Sequence, residues 1–166
     1  MFESLRTATT AQLTLANSKG PSGLDKEQTW SADIRFYGAK VGTATGKVGV
    51  KGITINLNEA LQEQIIEKLK AATFQIDPKL LPEGYDIDTS TGFMGAAIAQ
   101  IADEMDLAKE LRISARTQTL VVLRSSPGKA TVFAERYSAE VKNKLQEQYG
   151  DDLVEIINES LAGLPK

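Results

Sequence analysis

Cysteine and histidine are both absent from the 166 residues of this chain. Without cysteine there is no disulfide framework, no thiolate metal site and no thiol nucleophile. Without histidine the chain also lacks Ser-His and Cys-His nucleophile pairs, imidazole ligands and the usual proton shuttle at neutral pH. Catalysis would have to depend on carboxylates, lysine, tyrosine or a hard metal. The composition therefore predicts a protein that is not an enzyme and holds no cofactor or metal.

Long apolar runs are also missing. No window approaches the roughly 18 consecutive apolar residues of a membrane span, and the first six residues lack the basic start and apolar core of a signal peptide. We therefore expect a cytoplasmic protein without membrane association. With 42% hydrophobic and 25% charged residues, the chain has the composition of an ordinary globular domain. A single domain over residues 1–166 is the expectation for this length.

Hydrophobic periodicity predicts an α+β fold. Alternation of apolar and polar residues indicates strands over residues 10–17, 30–37 and 53–57, and a hairpin over residues 117–137. The glycine-rich residues 38–52 are expected to form a bulged hairpin or a mobile arm. Repeats typical of helices occupy residues 59–74 and 93–109, and Ser138 and Asp151 are suitable N-caps for two more helices, which could merge. The sequence thus predicts an antiparallel sheet of about five to six strands, with three to four helices packed on one face.

Residues 30–57 combine aromatic side chains with positive charge. They hold four basic residues against one acid, so they carry a formal charge of +3 and leave −6 on the rest of a chain whose net charge is −3. Single-stranded nucleic-acid-binding proteins pair a basic groove with aromatic side chains on which bases stack. If the even positions of residues 30–36 face the core, Arg35 and Tyr37 point outward together. The residues proposed for such a surface are Trp30, Arg35, Tyr37, Lys40, Lys47 and Lys51.

Two observations favour other interpretations of this stretch. Lysines are also common on solvated edge strands, where they discourage aggregation, and Trp30 and Phe36 are suited to the core. The sequence pI of about 5.1 further argues against binding of duplex DNA. Single-stranded nucleic acid is therefore the alternative partner rather than the first.

The C-terminal region favours a protein partner. Residues 138–166 contain six acidic residues and three basic ones, and small acidic domains can present charge to a basic partner. We expect Asp151, Asp152 and Glu155 to form this surface, although a net charge of −3 is also ordinary for solubility. The leading hypothesis is therefore a non-enzymatic protein-binding or assembly module, with a protein partner or self-association. Its composition is typical of bacterial or phage accessory and inhibitor proteins.

Three further patterns point to no specific chemistry. The glycines of residues 42–48 are one residue too closely spaced for a phosphate-binding loop. Asp86 and Asp88 do not fit a calcium loop, and we expect them to form turns or caps. A metal-dependent enzyme using these acids with Asp103 or Glu104 is the least favoured hypothesis. The small residues at positions 95–99 are expected to form an intramolecular packing face rather than a dimer interface.

Overall fold

The structure of the protein, a computed structural model, describes residues 1–19, 29–47 and 53–164. The chain divides into two compact units, one comprising Glu3–Asp106 and the other comprising Met1–Phe2 with Leu107–Lys166. The described residues form five α-helices and seven strands. The strands lie in two antiparallel sheets, one of four strands and one of three. The predicted α+β class is confirmed. The expected single sheet of five to six strands is corrected to two smaller sheets.

The sheet of the Glu3–Asp106 unit is a simple meander. Its strands are β1 (Leu13–Lys19), β2 (Thr29–Phe36), β3 (Ala39–Lys47) and β4 (Thr54–Leu57), and each is antiparallel to the next. Along β2 the side chains alternate, with Ala32, Ile34 and Phe36 buried and the residues between them half-buried. The alternation predicted for residues 30–36 is therefore confirmed. Because one face of the sheet is buried, the pairing register is fixed.

A short helix precedes the sheet where none was predicted. Helix α1 (Glu3–Thr10) buries Leu5 and Ala8 on one side. The side chain of Glu104 accepts hydrogen bonds from the backbone N–H groups of Ser4 and Leu5, at 3.2 and 2.9 Å. Three of its eight residues are threonine, which has low helix propensity, so the helix depends on a cap supplied from a distant part of the sequence.

Two longer helices follow β4. Helix α2 (Glu59–Ala71) begins where expected, because the side chain of Asn58 accepts hydrogen bonds from the N–H groups of its first turn. Helix α3 (Ser90–Ser114) is longer than predicted, and the boundary between the two units falls within it. Its Ala96 and Ala99 are buried against Ile53, Ile76, Leu81, Tyr85 and Ile87. The small residues therefore form an intramolecular packing face, as the sequence predicted.

The second sheet lies in the other unit. Its strands are β5 (Thr119–Leu123), β6 (Ala130–Phe133) and β7 (Leu153–Ile156), in the order β6-β5-β7. Strand β5 is central and buried throughout, so the predicted hairpin and its central strand are confirmed. Helix α4 (Ala139–Tyr149) is capped by Ser138, as predicted, and ends at Gly150.

The expected fourth helix is wrong in its first half. Residues Leu153–Ile156 pair with β5 as a strand, and helix α5 covers only Ile157–Ala162. The strand completes the second edge of β5, where Val121 lies opposite Ile156. Asn158 then joins α5 to β5, because its side chain accepts a hydrogen bond from the backbone N–H of Leu120 at 2.8 Å.

None of the helices within the described ranges combines the length and apolar character that crossing a bilayer requires.

Gly42 provides a test of the first sheet's register. A Cβ atom at this position would lie 2.4 Å from the carbonyl oxygen of Asn56 and 3.3 Å from Cα of Leu57, both in the backbone of β4. Because such overpacking forces the backbone to shift, we expect Gly42→Ala to lower the free energy of unfolding by about 1–3 kcal/mol. Urea unfolding followed by the fluorescence of Trp30 measures this loss. Thr45→Ala, at an exposed position of the same strand, is the control, and an equal loss in both variants would contradict the close approach of β3 and β4.

Candidate functional site

The first sheet has a polar face that its helices do not bury. We call this the open face and define it by the residues that alternate with the buried ones in β1 to β4. Strand pairing places Asp33 at its centre, between Ala16 of β1 and Thr43 of β3. All members except Ala16 are polar, and each is half-buried or exposed. The members are Thr14, Ala16, Ser31, Asp33, Arg35, Lys40, Thr43, Thr45, Thr54 and Asn56.

Asp33 holds together the middle of the open face. Its Oδ1 lies 2.7 Å from Nζ of Lys40, and its Oδ2 accepts a hydrogen bond of 2.8 Å from the side-chain amide of Asn17. The Asp33 side chain is only 16% exposed, whereas that of Lys40 is 53% exposed. Asn17 has a positive φ of 52°, which lies in the left-handed region that asparagine tolerates. The three side chains form a network whose lysine remains accessible.

The Asp33 network forms part of a concavity of about 720 Å³. This volume is within the range of pockets that hold small organic molecules, about 300–1,000 Å³. Eight of its nine lining residues have polar or charged side chains, so the concavity offers a ligand many hydrogen-bonding groups. The lining residues are Asn17, Ser18, Lys19, Ser31, Ala32, Asp33, Lys40, Thr43 and Thr45.

The turn between β2 and β3 carries the exposed aromatic side chain of the site. Tyr37 and Gly38 both have positive φ angles, 50° and 78°, as a two-residue type I′ hairpin turn requires. This position favours glycine, asparagine or aspartate, and tyrosine is uncommon there. The backbone N–H of Tyr37 donates to the carbonyl oxygen of Gln12 at 3.0 Å. The ring packs edge-on against Phe36, with centroids 4.6 Å apart, yet Tyr37 is 59% exposed.

Arg35 lies beside this turn with few partners. One guanidinium nitrogen donates to the carbonyl oxygen of Gly38 at 3.3 Å. Its Nε atom is buried and has no hydrogen-bond partner within the described parts of the chain. Leaving a buried N–H of a charged group unsatisfied is costly. Within residues 1–19, 29–47 and 53–164, Arg35 is therefore a cation whose hydrogen-bonding capacity is only partly used.

The structure brings together only some of the residues predicted for nucleic-acid binding. Arg35, Tyr37 and Lys40 lie at one end of the open face and its turn. The alternation predicted the outward position of Arg35 and Tyr37, whereas the position of Lys40 follows from the pairing of β3 with β2. Trp30 is half-buried on the opposite side of β2, so its ring belongs to the buried side of the sheet. Lys47 pairs through its backbone with Thr29 at the far end of β3, and Lys51 lies outside the described residues. Strands β2 and β3 are the two central strands, so protection of a sheet edge does not explain Lys40.

Asn17, Asp33 and Thr43 are site residues that the sequence analysis did not single out. The odd-numbered positions of β2 signalled an outward-facing Asp33. Which residues of β1 and β3 lie beside Asp33 is set by the pairing of the strands. The pairing register shifts between Ala16 and Lys19 and between Ile34 and Arg35. That register does not appear in local periodicity.

The three acids predicted for a protein interface occupy different environments. Asp151 is exposed. Asp152 accepts hydrogen bonds from both the backbone N–H and the hydroxyl of Ser125, each at 2.8 Å, and thereby fastens the turn after β5. Glu155 is partly buried and forms an ion pair of 2.6 Å with the amino group of Met1. Asp152 and Glu155 therefore have intramolecular roles, and Asp151 is the member best placed to meet a partner.

Asp86 and Glu104, two of the other acids considered from the sequence, also have local structural roles. Asp86 accepts a hydrogen bond of 2.9 Å from the backbone N–H of Asp88, which is a turn-forming contact as predicted. Glu104 caps α1 as described above. Within residues 1–19, 29–47 and 53–164, no group of three or more acids is arranged to hold a metal ion.

Comparison with protein families, with curated proteins and with solved structures found no match to this chain. The geometry and chemistry of the open face are therefore what indicates a function.

The Asp33 network makes a testable prediction about protonation. The hydrogen bond from Lys40, and secondarily that from Asn17, holds the pKa of Asp33 below its ordinary value. Ionised Asp33 therefore contributes to stability above its unfolded pKa, and this contribution is lost as the pH falls through the lower native pKa. We expect NMR titration of the Asp33 carboxyl carbon to give a midpoint below that of an unperturbed aspartate.

Two variants separate the causes of this shift. Lys40→Met removes the larger cause and should move the Asp33 midpoint back toward its ordinary value. Asn17→Ala removes the smaller cause and should move it less. An unchanged midpoint in Lys40→Met would show that the ion pair between Asp33 and Lys40 is not formed in solution.

Proposed function

We propose that this chain is a non-enzymatic binding protein whose open face and adjacent turn bind single-stranded nucleic acid. The observation that carries the proposal is Arg35, whose half-buried guanidinium makes one hydrogen bond within the described residues, of 3.3 Å to the carbonyl oxygen of Gly38. An oxygen-rich anion would provide the acceptors that the guanidinium lacks. Arginine suits this role because its planar donors match phosphate oxygens.

Tyr37 supports the same proposal for a different reason. A tyrosine at a positive φ costs backbone energy of about 1–2 kcal/mol relative to glycine, so the turn alone does not account for this residue. Its exposed ring is a platform on which a base can stack, and stacking is worth about 1–3 kcal/mol for each base. The cation of Arg35 and the ring of Tyr37 therefore combine, at one turn, the two interactions that single-stranded nucleic acid uses.

The rest of the open face supplies further hydrogen bonds. Lys40 is exposed on its outer side although it pairs with Asp33. Thr43, Thr45 and Ser31 add hydroxyl groups that can donate to phosphate or sugar oxygens. The face is open rather than enclosed, and a flexible single strand can follow such a surface more readily than a rigid duplex can.

A binding titration tests this function. We expect a labelled thymidine oligonucleotide to bind the protein with an affinity that falls with salt, because phosphate contacts release counterions. Arg35→Gln should reduce the slope of log affinity against log salt by about 0.7, the value for one single-strand phosphate contact. Tyr37→Ala should weaken binding by about 1–3 kcal/mol through lost stacking. Fluorescence anisotropy at several salt concentrations measures both effects.

Lys129→Gln is the matched control for Arg35→Gln. Lys129 is an exposed cation in the loop between β5 and β6, and its replacement removes the same charge without touching the open face. If Lys129→Gln weakens binding as much as Arg35→Gln, attraction to net charge explains the result. Absence of binding at low salt would rule out the proposed function.

Protein binding through the acidic C-terminal region is a second proposal. The observation in its favour is that Asp151 is exposed close in sequence to Val154, an exposed apolar side chain on the edge strand β7. Exposed charge beside apolar surface is typical of the rim of a protein interface. A basic peptide is the partner chemistry that this surface would attract.

Charge reversal tests this second proposal. We expect Asp151→Lys to slow association with a lysine-rich probe peptide several-fold at low salt and to have less effect at high salt, since surface charges steer encounter. Glu63→Lys, at an exposed position of α2, changes the net charge equally and is the control. Equal slowing by both variants would exclude a local acidic interface. Stopped-flow measurement of the association rate provides the comparison.

A further inference from the structure

A carboxylate at the centre of the open face requires an explanation if that face binds a polyanion. Asp33 repels phosphate, and it partly neutralises Lys40 at a distance of 2.7 Å. A surface that bound only phosphates would gain from a neutral residue at this position. The middle of the open face is therefore better suited to a group that donates hydrogen bonds than to one that accepts them.

The unused acceptor sites of Asp33 indicate which kind of hydrogen-bond donor on a ligand would suit this position. Each carboxylate oxygen can accept two hydrogen bonds, and each already accepts one, from Lys40 or from Asn17. Among the described residues, both oxygens therefore retain one acceptor site, and Asp33 lines the concavity. A ligand with two adjacent N–H donors matches this arrangement, because a carboxylate can receive two parallel hydrogen bonds.

Guanine is the nucleobase with that donor pattern. Its Watson–Crick edge presents the ring N1–H and the exocyclic amino group side by side. Adenine and cytosine each place an acceptor nitrogen beside their amino group, which would face the carboxylate unfavourably. Thymine and uracil offer a single N–H between two carbonyl oxygens. Unpaired bases in single strands are commonly recognised on this edge.

We propose that Asp33 makes the open face selective for guanine, with the Watson–Crick edge of the base at Asp33 and the adjoining phosphates at Arg35 and Lys40. This inference rests on the proposed function. It assigns to Asn17 and Lys40 the positioning of the carboxylate, because each holds one of its oxygens. It also explains why the acid lies on the central strand β2, flanked by paired strands, where its side chain is held in place.

Base analogues test the inference on the unaltered protein. The probes are thymidine oligonucleotides with one central guanine, inosine, 2-aminopurine or adenine, and their affinities are measured by competition anisotropy. Inosine lacks only the exocyclic amino group of guanine, and 2-aminopurine lacks the N1–H. We expect each to bind about tenfold more weakly than guanine, which is within the discrimination that a good bidentate contact provides. Equal affinity for all four probes would overturn the inference while leaving the proposed function intact.

Two variants place the selectivity at Asp33. Asp33→Asn removes the charge and one acceptor, so it should lose the preference for guanine over inosine and bind the plain thymidine oligonucleotide more tightly. Lys129→Gln leaves Asp33 and both residues that hold its carboxylate unchanged, so it should retain the preference for guanine over inosine. Retention of the full preference in Asp33→Asn would overturn the assignment. If no probe binds the parent protein, the proposed function fails as well.

Discussion

The period of two along strand β2 is the constraint on which the first sheet and its candidate site both depend. Burial of Ala32, Ile34 and Phe36 on one side fixes which side chains must lie on the other. A shift of one residue would expose all three apolar side chains and bury Asp33 and Arg35. The cost of burying those two charges is therefore part of what specifies the register. The chemistry of the open face is a direct consequence of how the core is made.

The same constraint explains why the centre of the site lies between paired strands while one end is exposed. Strand β2 pairs with β1 on one side and β3 on the other, so Asp33 projects from a backbone that is hydrogen-bonded on both edges. Its contacts with Lys40 and Asn17 bind side chains from both neighbouring strands. Tyr37, by contrast, lies in a two-residue turn anchored by one hydrogen bond to Gln12. The arrangement provides a fixed acceptor and a nearby exposed ring.

The sequence predicted elements whose signals are local. Ser138 and Asn58 cap the helices that follow them, and the hairpin around β5 forms, because capping and alternation need only a few consecutive residues. Helix α1 was missed because its cap, Glu104, is about 100 residues away. Strand β7 was mistaken for helix because its four residues form a strand only by pairing with β5. In both elements, residues distant in sequence determine the local structure.

The residues of the candidate site also fall into those that local sequence could place and those that it could not. Arg35 and Tyr37 could be placed outward from periodicity alone, whereas the meeting of Asn17, Asp33 and Lys40 required the pairing of three strands. Local preference and global fold usually agree in natural proteins, and departures from that agreement tend to mark functional residues. Two such departures adjoin each other on this face: a tyrosine at positive φ and a guanidinium nitrogen that has no acceptor within the described residues. A single-stranded ligand that stacks on the ring and brings phosphate to the guanidinium would account for the tyrosine and the arginine, and a donor edge on one of its bases would use the acid between them and Asn17.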